Sequence, residues 1–469
     1  MLETLHIYHT NDLHSHFENW PKIAQFLNMR KTLHQKHEET VLLFDIGDHI
    51  DRFHPITEAS EGKANVELLN QFPYDAITIG NNEGITLPFA SLDELYEHAK
   101  FPVVVSNLFY QDGTRPKWAK PYRIIQLKSG VRIGILGVTV YFEQFYRQLG
   151  WMVQEPFANL KEILQEINGR ADILILLSHL GITDDEWIAE QFPEIDVILG
   201  GHTHHVLNKG KVVKNTLLAG AGKYGQWVGH IELLLNTSKR KLVEKKAELV
   251  NVGKMEEYDF PTLKWLEELQ RTSVQILNEP LVELKEELTV DWFADSPFTK
   301  MLASALKEWC QAEISMVNAG VLLESLPKGI VTRGDLHRIC PHPINPCKIN
   351  VPGDQLKEII LQARTEEMEQ MKLKGLGFRG KIMGRMIFDG VETEMEMLED
   401  GKKHVKQIYV NGEPIDINRT YIVATIDMFT LGPLYPQLGR IKEKIYFMPE
   451  MLRDVLAWKL KKHFSKKLS

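Results

Sequence analysis

Five short polar runs in the first half of the chain carry side chains able to grip a cation. They are His9-Thr10-Asn11-Asp12-Leu13-His14, Asp45-Ile46-Gly47-Asp48, Gly80-Asn81-Asn82-Glu83, Ser178-His179 and Gly200-Gly201-His202-Thr203-His204. The chemistry that unites them is metal binding. Taken singly, a histidine after a strand is more often packed or surface-exposed, and a Gly-Asp pair is usually a turn. Together, five such endings predict one metal site. In an α/β sheet the carboxyl ends of the strands converge on one edge, where residues far apart in sequence assemble. The Asp12-x-His14 and His202-x-His204 pairs add a local expectation, since alternate residues of an extended segment point the same way. Gly47, Gly80, Gly200 and Gly201 are expected to let the backbone turn sharply beside the site.

The elements that must position these residues are legible as an α/β rhythm. β-rich runs occur at Leu5–His9, Val41–Phe44, Ala76–Ile79, Val103–Val105, Arg132–Val138, Ala171–Leu177 and Val197–Leu199. Between them, Lys22–Leu33, Ala64–Phe72, Ser91–Ala99 and Phe157–Ile167 carry apolar residues at helical spacing, and the alternation in His230–Leu235 predicts a closing strand. Charged helix formers from about Lys254 to Glu279, with Pro261 near the start and Pro280 just past the end, predict a linker helix. The second half reads as a separate α/β domain. Its expected helices are Thr299–Gln311, Gln355–Lys372 and Pro449–Phe464, and its expected strands Ile314–Val317, Gln407–Val410 and Tyr421–Thr425. Asn411-Gly412 is a hairpin-turn signal.

Bulk properties narrow the class. A length of 469 residues exceeds one ordinary core and predicts two domains. With 43% hydrophobic and 25% charged residues the chain has the balance of a folded globular protein. The formal charge of -8 argues against a nucleic-acid polymer as partner, because phosphate neutralisation needs a basic face. Cys310, Cys340 and Cys347 are odd in number and show no Cys-x-x-Cys spacing. The first residues have no signal-peptide pattern, and Val131–Phe142 is too short to span a bilayer. A cytoplasmic protein with no membrane anchor and no obligate protein partner is therefore expected.

The order and spacing of His9–His16, Gly47-Asp48, Gly80-Asn81, His179 and Gly201-His202-Thr203-His204 resemble the calcineurin-like metallophosphatase superfamily, and within it the two-domain 5′-nucleotidase family. The resemblance implies a four-layer α/β/β/α metallophosphatase domain over residues 1–255, a linker helix over 256–279 and a smaller α/β substrate domain over 280–469. It implies one metal held by Asp12, His14, Asp48 and His204 and a second held by Asp48, Asn81, His179 and His202, with Asp48 as the bridge. Two divalent ions at such a bridge neutralise a phosphoryl group and lower the pKa of water enough to give an attacking hydroxide. The mixed nitrogen and oxygen donors suit manganese or zinc first, with iron, cobalt or magnesium as alternatives. The implied activity is metal-dependent hydrolysis of a phosphate ester, a nucleoside 5′-monophosphate or related nucleotide being the first small substrate to test. A phosphodiesterase or nucleotide-sugar pyrophosphatase, and a non-catalytic metal-dependent nucleotide-binding protein, are the alternatives.

The sequence also departs from the family. Its usual Gly-Asn-His-Glu-Phe-Asp segment supplies a His/Asp pair that handles the leaving group; here Asn82 and Ile85 stand at those positions. An amide has no proton of suitable pKa to give an alkoxide, so His49 and Arg52, just after Asp48, are considered with Asn82 as catalytic helpers. In the second domain Leu323 replaces a substrate-contacting arginine, Met428 an aromatic that stacks on a base, and Leu434 a ribose-binding carboxylate. Phe378 and Phe429 are the remaining candidates for base stacking, and Arg379 and Arg385 for phosphate contact.

Overall fold

The computed structural model describes residues 1–397, 403–432 and 434–464, so Pro433, in the segment aligned with the ribose-binding motif, lies outside the described residues. The chain forms two compact units, Met1–Ser273 and a second from Val274 on. The charged helix between the halves runs Phe260–Leu277, and the division falls within it.

In the first unit, seven strands form one sheet in the spatial order Lys241–Val250, Val228–Asn236, Leu2–Thr10, Thr40–Asp45, Ala76–Ile77, Val103–Val104, Ala119–Lys120. Leu2–Thr10 pairs parallel with Thr40–Asp45 and antiparallel with Val228–Asn236. Six strands form a second sheet, in the order Lys211–Val213, Thr216–Ala219, Val197–Gly200, Ile173–His179, Arg132–Thr139, Tyr122–Gln126. The period of two along each strand builds the layers. Leu5 and Ile7 join Ile133, Ile135, Ile175 and Leu177 in a core between the sheets. Leu136, Val138 and Leu176 turn the other way, onto Leu160, Ile163 and Ile188 of the helices Pro156–Ile167 and Ile182–Gln191. On the far side Tyr8 meets Phe26 of the helix Trp20–Lys36 edge-on, with centroids 5.8 Å apart. The result is helix, sheet, sheet, helix, as expected.

The second unit is built on a five-stranded sheet, Met386–Asp389, Ile314–Asn318, Thr420–Ile426, Pro346–Pro352, Lys444–Tyr446, with helices Pro297–Cys310, Gly353–Ala363 and Leu452–Phe464. Two local outcomes are informative. Asn411 and Gly412 both have positive φ (50° and 84°) and join Val410 directly to its partner Glu413, the geometry of a two-residue hairpin turn. The single long helix expected over Gln355–Lys372 is instead two, because the Thr365 side chain accepts from Met368 N and caps a new short helix, Glu366–Glu369.

Candidate metal centre

Each polar run follows the end of a strand or lies within a few residues of it: Asp12 and His14 after Leu2–Thr10, Asp48 after Thr40–Asp45, Asn81 after Ala76–Ile77, His179 at the end of Ile173–His179, and His202 and His204 after Val197–Gly200. Two clusters result, Asp12 with His14 and His204, and Asp48 with His179 and His202, the donor atoms of each lying within 4.8 Å of one another. Asp48 links them. Its Oδ2 stands 3.6 Å from His14 Nε2 and 3.4 Å from His179 Nε2. His14 Nε2 and His204 Nε2 are 3.1 Å apart, and Asn81 Oδ1 lies 2.8 Å from His202 Nδ1.

The local conformation differs from the extended segments expected at the Asp-x-His and His-x-His pairs. Asp12, His14, Asp48, His202 and His204 all have positive φ, between 49° and 69°. Turned into the left-handed region, each side chain leaves the strand direction and points into the space beyond the sheet edge. Asp and His tolerate that region better than bulkier residues do. The glycines also divide differently from expectation. Gly47 does turn with φ +84°, but Gly80 and Gly201 are needed for room: a Cβ on Gly80 would lie 2.1 Å from Asp48 Oδ1, and one on Gly201 2.9 Å from His179 Nδ1.

The donors fit cations. His179 is fully buried, its Nδ1 is 2.7 Å from Ile46 O, and its Nε2 has no hydrogen-bond partner. A backbone carbonyl therefore fixes the proton on Nδ1 and aims the Nε2 lone pair at the cluster, as in histidines that ligate metals. Electrostatics agree. Burial opposes a charged His179, yet the Asp48 carboxylate outweighs it and raises the imidazole pKa to about 10, so without an ion Nε2 takes up a proton that a bound cation would displace. Burial and His179 together push His202 down to about 4. A divalent ion would supply the positive charge that Asp12 and Asp48, both almost fully buried, require.

Several surrounding residues have no signal in the sequence that marks them. Asp51 Oδ2 lies 3.3 Å from His14 Nδ1, a carboxylate placed to hold that ring with Nε2 facing the cluster. Glu83 Oε2 accepts from Asp48 N at 2.9 Å and Gly80 N at 2.8 Å, while its Oε1 accepts from Ile50 N at 2.9 Å, so one buried carboxylate ties two ligand loops together. Asn11 Nδ2 donates to Asp12 Oδ2 at 2.8 Å.

The helpers considered for the leaving group have other partners. Asn82 is buried, with its Nδ2 3.0 Å from His14 Nδ1 and 2.8 Å from Ile50 O, and its Oδ1 3.0 Å from Asn81 Nδ2. Its Oδ1 thereby holds the Asn81 side chain. His49 packs edge-on to Trp20 and beside Asn65, and burial lowers its pKa to about 3, which removes it as a proton donor or acceptor near neutrality. Arg52 spends its guanidinium on Glu58 at 2.8 and 3.1 Å and on Thr86 O at 2.9 Å. In the second unit, Phe429 is fully buried against Tyr435 and Phe378 is stacked on His342 with centroids 5.1 Å apart, so both rings are core residues. Arg385 pairs with Asp295 at 3.2 Å and Glu369 at 3.5 Å, and Arg379 is half-buried with its N–H donating to His342 Nδ1.

Residues 5–206 match the family described as calcineurin-like phosphoesterase, and residues 277–433 the 5′-nucleotidase, C-terminal domain. The chain belongs to the calcineurin-like metallophosphoesterases that carry a 5′-nucleotidase carboxyl-terminal domain, hydrolases of phosphate esters that use divalent metals. It is 52% identical over 460 residues to the metallophosphoesterase YunD of Bacillus subtilis, covering 98% of this chain and 100% of that one. Among solved structures it is similar to a putative 5′-nucleotidase of Staphylococcus aureus (TM-score 0.71, 18% identity, 100% and 98% of the two chains). The NAD nucleotidase NadN of Haemophilus influenzae is also similar (TM-score 0.69, 17% identity, 98% and 97%). Among the described residues no helix is long and apolar enough to cross a membrane.

Proposed function

We propose that this chain hydrolyses nucleoside 5′-monophosphates or closely related small nucleotides at a centre of two divalent ions, manganese or zinc. The observation that carries this reading is the pair of donor clusters joined through Asp48 Oδ2. Bound there, the ions would neutralise the phosphoryl oxygens and acidify water. Asp12, His14, Asp48 and His204 would hold one, and Asp48, Asn81, His179 and His202 the other. Asp51 keeps His14 oriented, and Ile46 O does the same for His179. The three buried free cysteines fit a reducing cytoplasm. Manganese-loaded protein is expected to release phosphate from a nucleotide panel, and Asp48→Asn to lose that release; unchanged release in Asp48→Asn would overturn the assignment.

One observation favours a second reading. Because Asn82 is engaged by His14, Ile50 and Asn81, it offers the leaving group no proton, and His49 and Arg52 do not replace it. A pyrophosphate or a diester with a weakly basic leaving group, which needs no such help, would then be the preferred substrate. Comparing bis-(4-nitrophenyl) phosphate with an alkyl phosphomonoester separates the two: a strong preference for the former selects the second reading.

A further inference from the structure

A second group of histidines lies on the helix-facing side of the seven-stranded sheet. His6, midway along Leu2–Thr10, and His230, on Val228–Asn236, point to the same face as Tyr8. Over them packs the helix Trp20–Lys36, which contributes His34. His6, His34 and His230 are all at least nine-tenths buried, and Glu39, Glu232 and Glu248 rim them. His6 is four residues before Thr10, or about 13 Å along the strand, so this group is distinct from the strand-end centre.

The hydrogen bonds fix where the protons sit. Glu248 Oε1, 3.0 Å from His230 Nδ1, holds a proton there and leaves His230 Nε2 with a lone pair. That lone pair faces His6 Nδ1 at 3.1 Å, so His6 carries its proton on Nδ1. His6 Nε2 is then a buried lone pair with no partner. His34 is independently satisfied, with Nδ1 2.7 Å from Glu39 and Nε2 2.8 Å from the Tyr8 hydroxyl. Burial and the neighbouring imidazoles both disfavour charge on His6, which keeps it a neutral donor.

We propose that His6 Nδ1, His230 Nε2 and Glu232 Oε1, whose donor atoms lie within 4.8 Å of one another, bind a zinc ion, with Glu248 orienting the His230 imidazole. Zinc in place of the proton between the rings sends the His6 proton to Nε2, on the side where the Glu39 carboxylate lies 3.8 Å away as a charge neighbour. One carboxylate–histidine–metal relay results, Glu248 behind His230, the usual outer support of such sites. The spacings suit the ion. Ligands about 2.0–2.2 Å from a tetrahedral zinc stand ~3.4 Å apart, and here His6 Nδ1 is 3.1 Å from His230 Nε2 and 3.9 Å from Glu232 Oε1. Water completes the fourth position on the side of Glu232, whose side chain is 45% exposed. The ion would fasten the first strand to the strands that close the sheet.

The test is the zinc content of the full chain after zinc loading and removal of loosely held metal, comparing wild type with His230→Gln and with Glu232→Gln. Glu232 is exposed enough that its variant folds even where His230→Gln does not. The expected result is one zinc per chain fewer in each variant, with phosphate release unchanged, and an affinity at this site lowered about 10- to 100-fold in Glu248→Gln. Equal zinc content in wild type and both variants would overturn the proposal. Loss of phosphate release in Asp48→Asn is read separately and leaves this zinc count untouched.

Discussion

The two units treat polar chemistry in opposite ways. In the first, seven donors converge beyond the strand ends, and Asp51, Glu83, Asn82 and Asn11 hold them from behind. In the second, the positions considered for substrate are apolar and buried, as at Phe429 and Met428, or already paired, as at Arg385. The polar side chains of the first unit are thus gathered and supported, while those considered in the second are spent on its own core and ion pairs.

The contrast can be tested by substitution. Asp48→Asn strikes both clusters, and since ion pairs at such centres supply several kcal/mol of transition-state stabilisation, phosphate release should fall by about 10³-fold or more. A loss below about tenfold would break the comparison. Phe429→Ala should cost about 3–5 kcal/mol of stability in denaturant unfolding, with KM unchanged in the fraction that stays folded; a selective rise in KM would return Phe429 to the substrate site. Asp51→Asn should weaken metal retention or activity about 10- to 100-fold, rescued in part by excess metal. Saturating metal leaving kcat low would show that Asp51 meets the reacting groups. Arg385→Gln is expected to be smallest, since partly exposed ion pairs contribute about 0–1 kcal/mol; a KM increase above about fivefold would identify it as a phosphate contact.

Much of the first unit was legible because strands and the polar runs after them are coupled: a run such as Val197–Leu199 is apolar by burial, and the residues His202 to His204 are polar because they leave the sheet. The supporting residues were not legible. Asp51 and Glu83 are ordinary acidic residues whose importance comes from reaching across loops, Glu83 to the backbone of Asp48 35 positions earlier. His49 and Arg52 meet Trp20 and Glu58 instead, since proximity in sequence to Asp48 says nothing about the direction in which a turning backbone sends the next side chains. The His6, His34 and His230 group leaves no trace in the sequence because its members lie up to 224 positions apart and no local motif joins them.

The left-handed backbone at five of the ligand positions also bears on how the protein can change. Each non-glycine residue there costs on the order of 1 kcal/mol that a glycine would not. Selection for stability of the metal-free chain would therefore favour glycine at Asp12, His14, Asp48, His202 and His204, the very residues that the ions need. Under the proposed function, a requirement for catalysis would keep them. Fold robustness and turnover pull in opposite directions at the same five backbone positions, and a drifting copy released from its enzymatic duty should lose its ligands there first.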